Sequence, residues 1–249
     1  MATGRLRAGR QLLGRAETLG LQLGLLELTS QVLATHAVWE SEVGDPRLAE
    51  QIAAAALSMS ENASTRALAV LTFARTGATS RAEAVMKRIE SGPAEVDPAV
   101  AAGSRRKLAA ALALASNRPA DVIDALDAMH PYEDGGVINH VALRGDLAEL
   151  GVHHLRGLAR LALGQGAEAA AEFQRTADQR GVSPRAPSYA LAPLNLARAH
   201  ALSGDRAAAA RAYTAFLSRW SGADPDVTLV AEVRREYRRV APAADQDSK

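Results

Sequence analysis

Two neighbouring stretches of this chain repeat each other: residues 151–181 read GVHHLRGLARLALGQGAEAAAEFQRTADQRG, and residues 189–223 read YALAPLNLARAHALSGDRAAAARAYTAFLSRWSGA. In each stretch, a helical spacing of apolar residues leads through a glycine-containing turn to a second helical pattern. The matching positions lie 40 residues apart, and they are Gly164 with Gly204, Ala169 with Ala209, and Phe173 with Tyr213. Repetition of a helix–turn–helix unit predicts a helical repeat array, in which each unit stacks on its neighbours.

The same order of turn, small and bulky residue recurs earlier in the chain. Gly77, Ala82 and Met86 form one such set, and Asn117, Val122 and Leu126 form another. Asparagine tolerates the left-handed backbone conformation, so we expect it to replace glycine at that turn. The sequence therefore predicts one domain of residues 1–241, with units at about 30–60, 62–92, 104–130, 150–181 and 190–222, a capping helix at about 227–240, and a disordered tail at 242–249.

Three Asp-Pro pairs mark expected helix starts, because aspartate caps a helix N-terminus and proline fits its first turn. The pairs are Asp45-Pro46, Asp97-Pro98 and Asp224-Pro225. Gly44, immediately before the first pair, is expected to end the preceding helix in the left-handed conformation. Upstream of it, two stretches of apolar residues at helical spacing occupy residues 4–43.

Composition supports an all-α fold and excludes several classes of function. Apolar residues make up 48% of the chain and aromatic residues only 4%, so alanine, leucine and valine must build the core. The formal net charge of +1 offers no long-range attraction to nucleic acid or to an acidic membrane. No segment reads as a signal peptide or as the roughly 18 apolar residues of a membrane span. We therefore expect no nucleic-acid partner, no membrane insertion and a cytoplasmic location.

The turn glycines, the small residues five positions on and the bulky residues four further on resemble the tetratricopeptide repeat family. Gly157 fits the small position of a first helix, and Gly44, Ala49 and Ala53 match one more unit loosely. The family's early aromatic residues and its closing proline are largely absent here. The resemblance implies an all-α, right-handed α-solenoid that binds proteins without catalysing a reaction.

Three phrases give a narrower resemblance: HPYEDGG at 130–136, LRGLARLALGQGAEAAAEFQRTADQRG at 155–181, and LARAHALSGDRAAAARAYTAFLSRWSGADPD at 196–226. They look like the repeat region that follows a Ser/Thr kinase or winged-helix domain in bacterial signalling proteins. The chain lacks a glycine-rich phosphate loop, the HRD and DFG motifs, and a winged-helix pattern. The resemblance implies an adaptor or scaffold in bacterial signalling; the alternative is the regulatory or sensor half of a split or truncated kinase or transcriptional regulator.

Candidate sites for chemistry are weak in this sequence. His153 and His154 are adjacent and project about 100° apart on a helix, so they do not suit one metal ion. They read instead as partly exposed helix residues, and neither His130 and His140 nor the loop carboxylates Glu133 and Asp134 complete a site. The basic runs, Arg105-Arg106-Lys107 and Arg234, Arg235, Arg238 and Arg239, read as solvated helix faces. We predict no enzyme activity, no metal and no cofactor.

The candidate binding surface is the groove that first helices line in tetratricopeptide folds. Carrying over that geometry places five side chains on or near it: Arg75, Lys107, His154, Asn195 and Arg198. Asn195 and Arg198 lie three residues apart on one helix face, where they could hold the carboxylate or backbone of a peptide. The alternative is that they pair with neighbouring helices. We expect a protein or peptide partner in the groove, or self-association.

Overall fold

Twelve α-helices and no β-strand make up the described part of the chain, which covers residues 1–92, 98–127, 129, 151–178 and 186–241 of a computed structural model. The predicted all-α class is confirmed. The helices are α1 (Leu6–Gln22), α2 (Leu26–Val43), α3 (Pro46–Met59), α4 (Ala63–Arg75), α5 (Thr79–Ser91), α6 (Pro98–Ala115), α7 (Pro119–Asp127), α8 (Val152–Ala162), α9 (Gly166–Asp178), α10 (Pro187–Leu202), α11 (Arg206–Arg219) and α12 (Thr228–Val240). The predicted tail at 242–249 lies outside the described residues, as do His130, Glu133, Asp134 and His140.

Local signals in the sequence explain where several helices begin and turn. Asp45 caps α3, since its Oδ1 accepts a 2.8 Å hydrogen bond from the backbone N–H of Arg47, and Pro46 occupies the first turn. Asn62 and Asp205 cap α4 and α11 in the same way. The turns inside four hairpins have positive φ angles, at Gly77 (80°), Asn117 (54°), Gly164 (75°) and Gly204 (83°). The left-handed conformation expected at Asn117 is therefore confirmed.

Consecutive helices pair as hairpins, and the first helices of the hairpins also pack side by side. The hairpins are α2–α3, α4–α5, α6–α7, α8–α9 and α10–α11. Along the row of first helices, α2 contacts α4, α4 contacts α6, α6 contacts α8, and α8 contacts α10. The small and bulky positions of the repeat pattern are buried between these helices: Ala82, Ala169, Ala209, Met86, Phe173 and Tyr213. At Gly157 a Cβ atom would collide with the ring of Phe173, so only glycine allows α8 and α9 this close approach.

The beginning and the end of the described chain share a core. Trp39 and Val43 of α2 pack in one apolar cluster with residues of α10, α11 and α12, such as Leu191, and with Trp220, which follows α11. The contact continues in the backbone, where Gly4 O accepts a 3.0 Å hydrogen bond from the N–H of Asp224. The first helix of the last hairpin, α10, also contacts α2. The row of helices thus curves back until its two ends meet.

Helix α2 ends at Gly44 as expected, but the conformation expected of Gly44 and the cap expected at Asp224 are wrong. Gly44 has a φ of −115°, outside the left-handed region, and it is needed for another reason: a Cβ atom there would collide with the carboxylate of Glu40. Asp224 does not cap α12, whose N-cap is Val227. The Asp224 carboxylate instead accepts a 2.7 Å hydrogen bond from the backbone N–H of Arg7. Asp97 lies outside the described residues, although Pro98 does begin α6.

A central cavity lined by the first helices

One cavity of about 250 Å³ lies where the first helices of all five hairpins face each other. Its lining comes from α2, α4, α6, α8 and α10, and most of it is apolar. The lining residues are Val38, Glu42, Leu71, Ala74, Arg75, Ala111, Leu114, Ala115, His154, Leu155, Leu158, Pro187 and Ser188. An apolar pocket with a few convergent polar groups is the usual form of a binding site.

His154 is the most unusual polar residue of this lining. Its side chain is 4% exposed, and its Nδ1 atom is buried without a hydrogen-bond partner. The ring lies 6.0 Å, centroid to centroid, from Phe173 in an edge-on arrangement. Burial, and then the positive charge of Arg75, lower the pKa of His154 to about 3. At neutral pH His154 therefore presents an uncharged imidazole, with one donor and one acceptor nitrogen, to the cavity.

The two charged residues of the lining neutralise each other. Arg75 Nε donates a 2.6 Å hydrogen bond to Oε1 of Glu42, across the contact between α4 and α2. Glu42 was not among the residues singled out from the sequence. The sequence did contain a signal for this pair, because Glu42 precedes Arg75 by 33 residues and both lie in the last turn of a first helix. Ser188, at the start of α10, also lines the cavity and was missed.

Two of the five residues predicted for the groove, Arg75 and His154, line the cavity, and three do not. Arg198 forms a paired contact with Glu236 of α12, through Nε to Oε2 at 3.0 Å and Nη2 to Oε1 at 2.8 Å. Its guanidinium is thus occupied by a neighbouring helix, which is the alternative considered for it above. Tyr213 donates a hydrogen bond to the same carboxylate. Asn195 is buried on α10, 5% exposed, away from the lining.

The exposure of Lys107, His153 and His154 differs from what the sequence predicted. Lys107 is buried rather than part of a solvated run, and burial lowers its pKa to about 8. It stands one helical turn before Ala111 of the cavity lining. His153 and His154 are both buried, so the expectation of partly exposed side chains is wrong. Nδ1 of His153 lies 2.6 Å from Oε2 of Glu172, so this histidine belongs to a buried pair that does not line the cavity.

A second buried polar cluster surrounds Glu40, at the junction between α1, α2 and α3. Its carboxylate accepts hydrogen bonds from Arg10 Nε and Nη2, both at 2.8 Å, and from the backbone N–H of Asp45 at 3.1 Å. His36 Nε2 lies 3.0 Å away on the same helix. Burial alone would raise the pKa of Glu40, but these partners outweigh burial and lower the pKa to about 2.

One surface of the molecule exposes an unusual density of leucine. Seven large apolar side chains that α1 and the turn into α2 leave exposed are Leu12, Leu19, Leu21, Leu23, Leu25, Leu26 and Leu28. Elsewhere in the described residues only Leu163 and Leu202 are comparably exposed, each alone at the C-terminal end of a helix. A concentrated apolar patch marks a contact with another surface more often than scattered leucines do.

Two classes of site find no support in the part of the chain that the structure covers. No group of three or more histidine, aspartate and glutamate side chains there could hold a metal ion. None of the helices described above combines the length and the apolar character that crossing a membrane requires.

Comparison with protein-family models, with curated proteins and with solved structures found no match to this chain. The tetratricopeptide resemblance therefore stays a prediction from the sequence.

Proposed function

We propose that this chain is a non-catalytic protein–protein interaction module, folded as a right-handed tetratricopeptide-like α-solenoid, which binds a segment of a partner protein on its concave surface. The observation that carries the proposal is the central cavity, because the first helix of every hairpin contributes to it. A site assembled from five successive units is what a repeat array would use to hold an extended partner. By the resemblance described above, the module would act in bacterial signalling or regulation.

The chemistry of the cavity favours binding over catalysis. A general acid or base works best when its pKa lies near the working pH. His154, with a pKa of about 3, lacks at neutral pH the imidazolium proton that a general acid gives up, and its neutral ring is a weak base. The Glu42 carboxylate already accepts a 2.6 Å hydrogen bond from Arg75. These groups are suited to orienting a ligand by hydrogen bonds and shape.

A cavity-filling variant tests this proposal. Ala115 lines the cavity but is exposed, so Ala115→Trp should fill the mouth of the cavity without disturbing the core. Ala55→Trp, at an exposed position of α3, is the matched control. Peptides would be selected from a random phage-displayed library against the wild-type chain, and their binding measured by fluorescence anisotropy.

We expect the Ala115→Trp variant to bind the selected peptides at least about 10-fold more weakly, since a filled pocket excludes the anchoring side chain, while the control binds normally. Equal binding by wild type and Ala115→Trp would remove the cavity from the proposal. A library that yields no binding peptide would contradict the interaction module itself.

The second candidate function is the regulatory or sensor half of a split kinase or transcriptional regulator. The exposed leucines of α1 favour it, because such a patch could pack against a separate domain. The gene next to this one should then encode a kinase or winged-helix protein that co-purifies with the chain. Leu19→Glu should abolish that co-purification and Leu202→Glu, at an isolated exposed leucine, should not; an unrelated neighbouring gene would count against this candidate.

A further inference from the structure

Two buried polar side chains line the central cavity, and one of them carries an unpaired atom. His154 is 4% exposed and Ser188 is 5% exposed, and they come from α8 and α10, which touch each other. The Nδ1 atom of His154 is itself buried and has no hydrogen-bond partner. Buried polar groups are nearly always hydrogen-bonded, so unpaired groups beside a cavity indicate a ligand that completes them.

The cavity also restricts the charge of that ligand. Glu42 and Arg75 already pair with each other, and the rest of the described lining is uncharged at neutral pH. A carboxylate or ammonium group entering this space would lose its hydration without meeting an unpaired opposite charge. Transfer of an unpaired charge into an apolar environment is strongly unfavourable. The bound group must therefore be neutral.

The size and the lining of the cavity indicate an aromatic group. A cavity of about 150 Å³ accommodates benzene, and this one, at about 250 Å³, has room for a bicyclic ring. Leucine side chains from three helices, Leu71, Leu114 and Leu155, supply its apolar surface. Tryptophan combines a large rigid apolar area with one N–H donor, and it is a common anchor at protein interfaces.

We propose that the cavity accepts one uncharged aromatic side chain of the bound segment, of the size of a tryptophan indole, with a hydrogen bond to the imidazole of His154. This inference rests on the proposed function, because it names the residue of the partner segment that enters the cavity. It differs from the carboxylate recognition expected from Asn195 and Arg198. Those two residues lie outside the cavity, and Glu236 already occupies Arg198.

Small probes test the chemistry directly on the whole chain. Indole, indene, benzoate and benzylammonium would be titrated separately and followed by NMR through the methyl signals of Leu71 and Leu155. Indole and indene have nearly the same shape, but only indole carries an N–H. We expect indole to bind about 2- to 10-fold more tightly than indene, the range expected for one net hydrogen bond. The two charged probes should cause no shift of these signals.

Three variants separate the contributions of shape and hydrogen bonding. His154→Phe keeps a ring at this position and should make indole and indene bind equally. Ala115→Trp should abolish the binding of both, and Ala55→Trp, on the outer helix α3, should leave both unchanged. Should His154→Phe fail to fold, the Ala115→Trp comparison still decides whether the probes occupy the cavity.

A blocked pentapeptide with one central tryptophan between glycines, compared with free indole, identifies the source of the aromatic group. Tighter binding of the peptide supports a segment of a partner protein. Equal affinity would assign the cavity to a free small molecule and overturn the side-chain assignment, as would preferential binding of benzoate or benzylammonium.

The peptide selection described above keeps this inference separate from the proposed function. Selected peptides that bind in the cavity without any uncharged aromatic residue would overturn the inference and leave the interaction module intact. If no peptide is selected while indole still binds, the interaction module fails and with it the assignment to a partner segment.

Discussion

The Glu40 cluster and the central cavity both bury polar side chains between helices, but they differ in how completely those side chains are paired. Glu40 has four hydrogen-bonding neighbours, counting two atoms of Arg10, the backbone of Asp45 and the imidazole of His36. His154 has none at its Nδ1 atom. A fully paired buried group stabilises one arrangement of the surrounding helices, whereas an unpaired one leaves free energy to be gained by binding. The comparison therefore distinguishes the Glu40 cluster, which stabilises the fold, from the cavity, which can bind a ligand.

The largest expected effect is that of a substitution in the Glu40 cluster. Glu40→Gln replaces the buried carboxylate that accepts from Arg10 and leaves the guanidinium of Arg10, whose side chain is 32% exposed, without its counter-charge. Removing the buried partner of this ion pair should lower the free energy of unfolding by about 3 kcal/mol, measured by urea denaturation at pH 7.

Glu50→Gln is the matched control, because Glu50 pairs with Arg81 at the surface and should change stability by less than about 1 kcal/mol. A loss at Glu40 no larger than the loss at Glu50 would show that the buried cluster adds no stability.

The pH dependence of the free energy of unfolding should also reveal the contribution of Glu40. The pKa of Glu40 is about 2 in the folded chain against an ordinary 4.5, so its contribution is complete above about pH 4.5. As the pH falls from 4.5 to 2, the unfolded chain takes up a proton that the folded chain refuses, and about 3 kcal/mol of stability is lost.

Glu40→Gln should lack this component, so the stability difference between wild type and variant should shrink as the pH falls through that window. A difference that stays constant from pH 5 to pH 2 would contradict the lowered pKa. Circular dichroism during urea denaturation at each pH measures it.

The two adjacent histidines give a comparison within a single helical turn. His153→Leu leaves the buried carboxylate of Glu172 without its 2.6 Å partner and should cost about 2 kcal/mol. His154→Leu removes an imidazole whose Nδ1 is unpaired and should be neutral or slightly stabilising. Equal destabilisation by the two variants, measured by urea denaturation, would remove the distinction between a structural and a binding histidine.

The smallest expected effect concerns Arg198, which the sequence placed in the groove. Arg198→Met keeps much of the apolar stem and loses the paired contact with Glu236, and we expect a loss of about 1 kcal/mol because this pair is partly exposed. The variant should bind the selected peptides as wild type does, since Arg198 does not line the cavity. Weaker peptide binding by a folded Arg198→Met variant would return Arg198 to the binding surface.

Local features of the fold could be predicted from the sequence because neighbouring residues determine them. The helical class followed from composition and apolar spacing, and the positive φ of Asn117 followed from its place in the repeat pattern. The cap at Asp45 likewise depends only on the two residues that follow it.

Features that depend on distant residues could not be predicted in this way. The leucine spacing in α1 identified a helix, but Leu12 and Leu19 are exposed, since periodicity does not reveal whether another element covers a face. Gly44 does end α2, but it is not left-handed, and the nearby carboxylate of Glu40 is what excludes a larger residue there. Arg198 and Glu236 lie 38 positions apart, and no pattern in either helix announces their pairing.

The contact between Gly4 and Asp224 changes what can be learned by shortening this chain. In an open array, removal of a terminal unit affects only its immediate neighbour, and stability declines stepwise. Here the first residues pack against Trp220 and Ala223, so deletion of α1 would uncover apolar surface at the other end of the sequence. A truncation from either terminus should therefore destabilise both ends of the array together, rather than remove one repeat at a time. Closing a contact across about 220 residues also makes it one of the last to form during folding, because non-local contacts carry the largest loop-closure entropy.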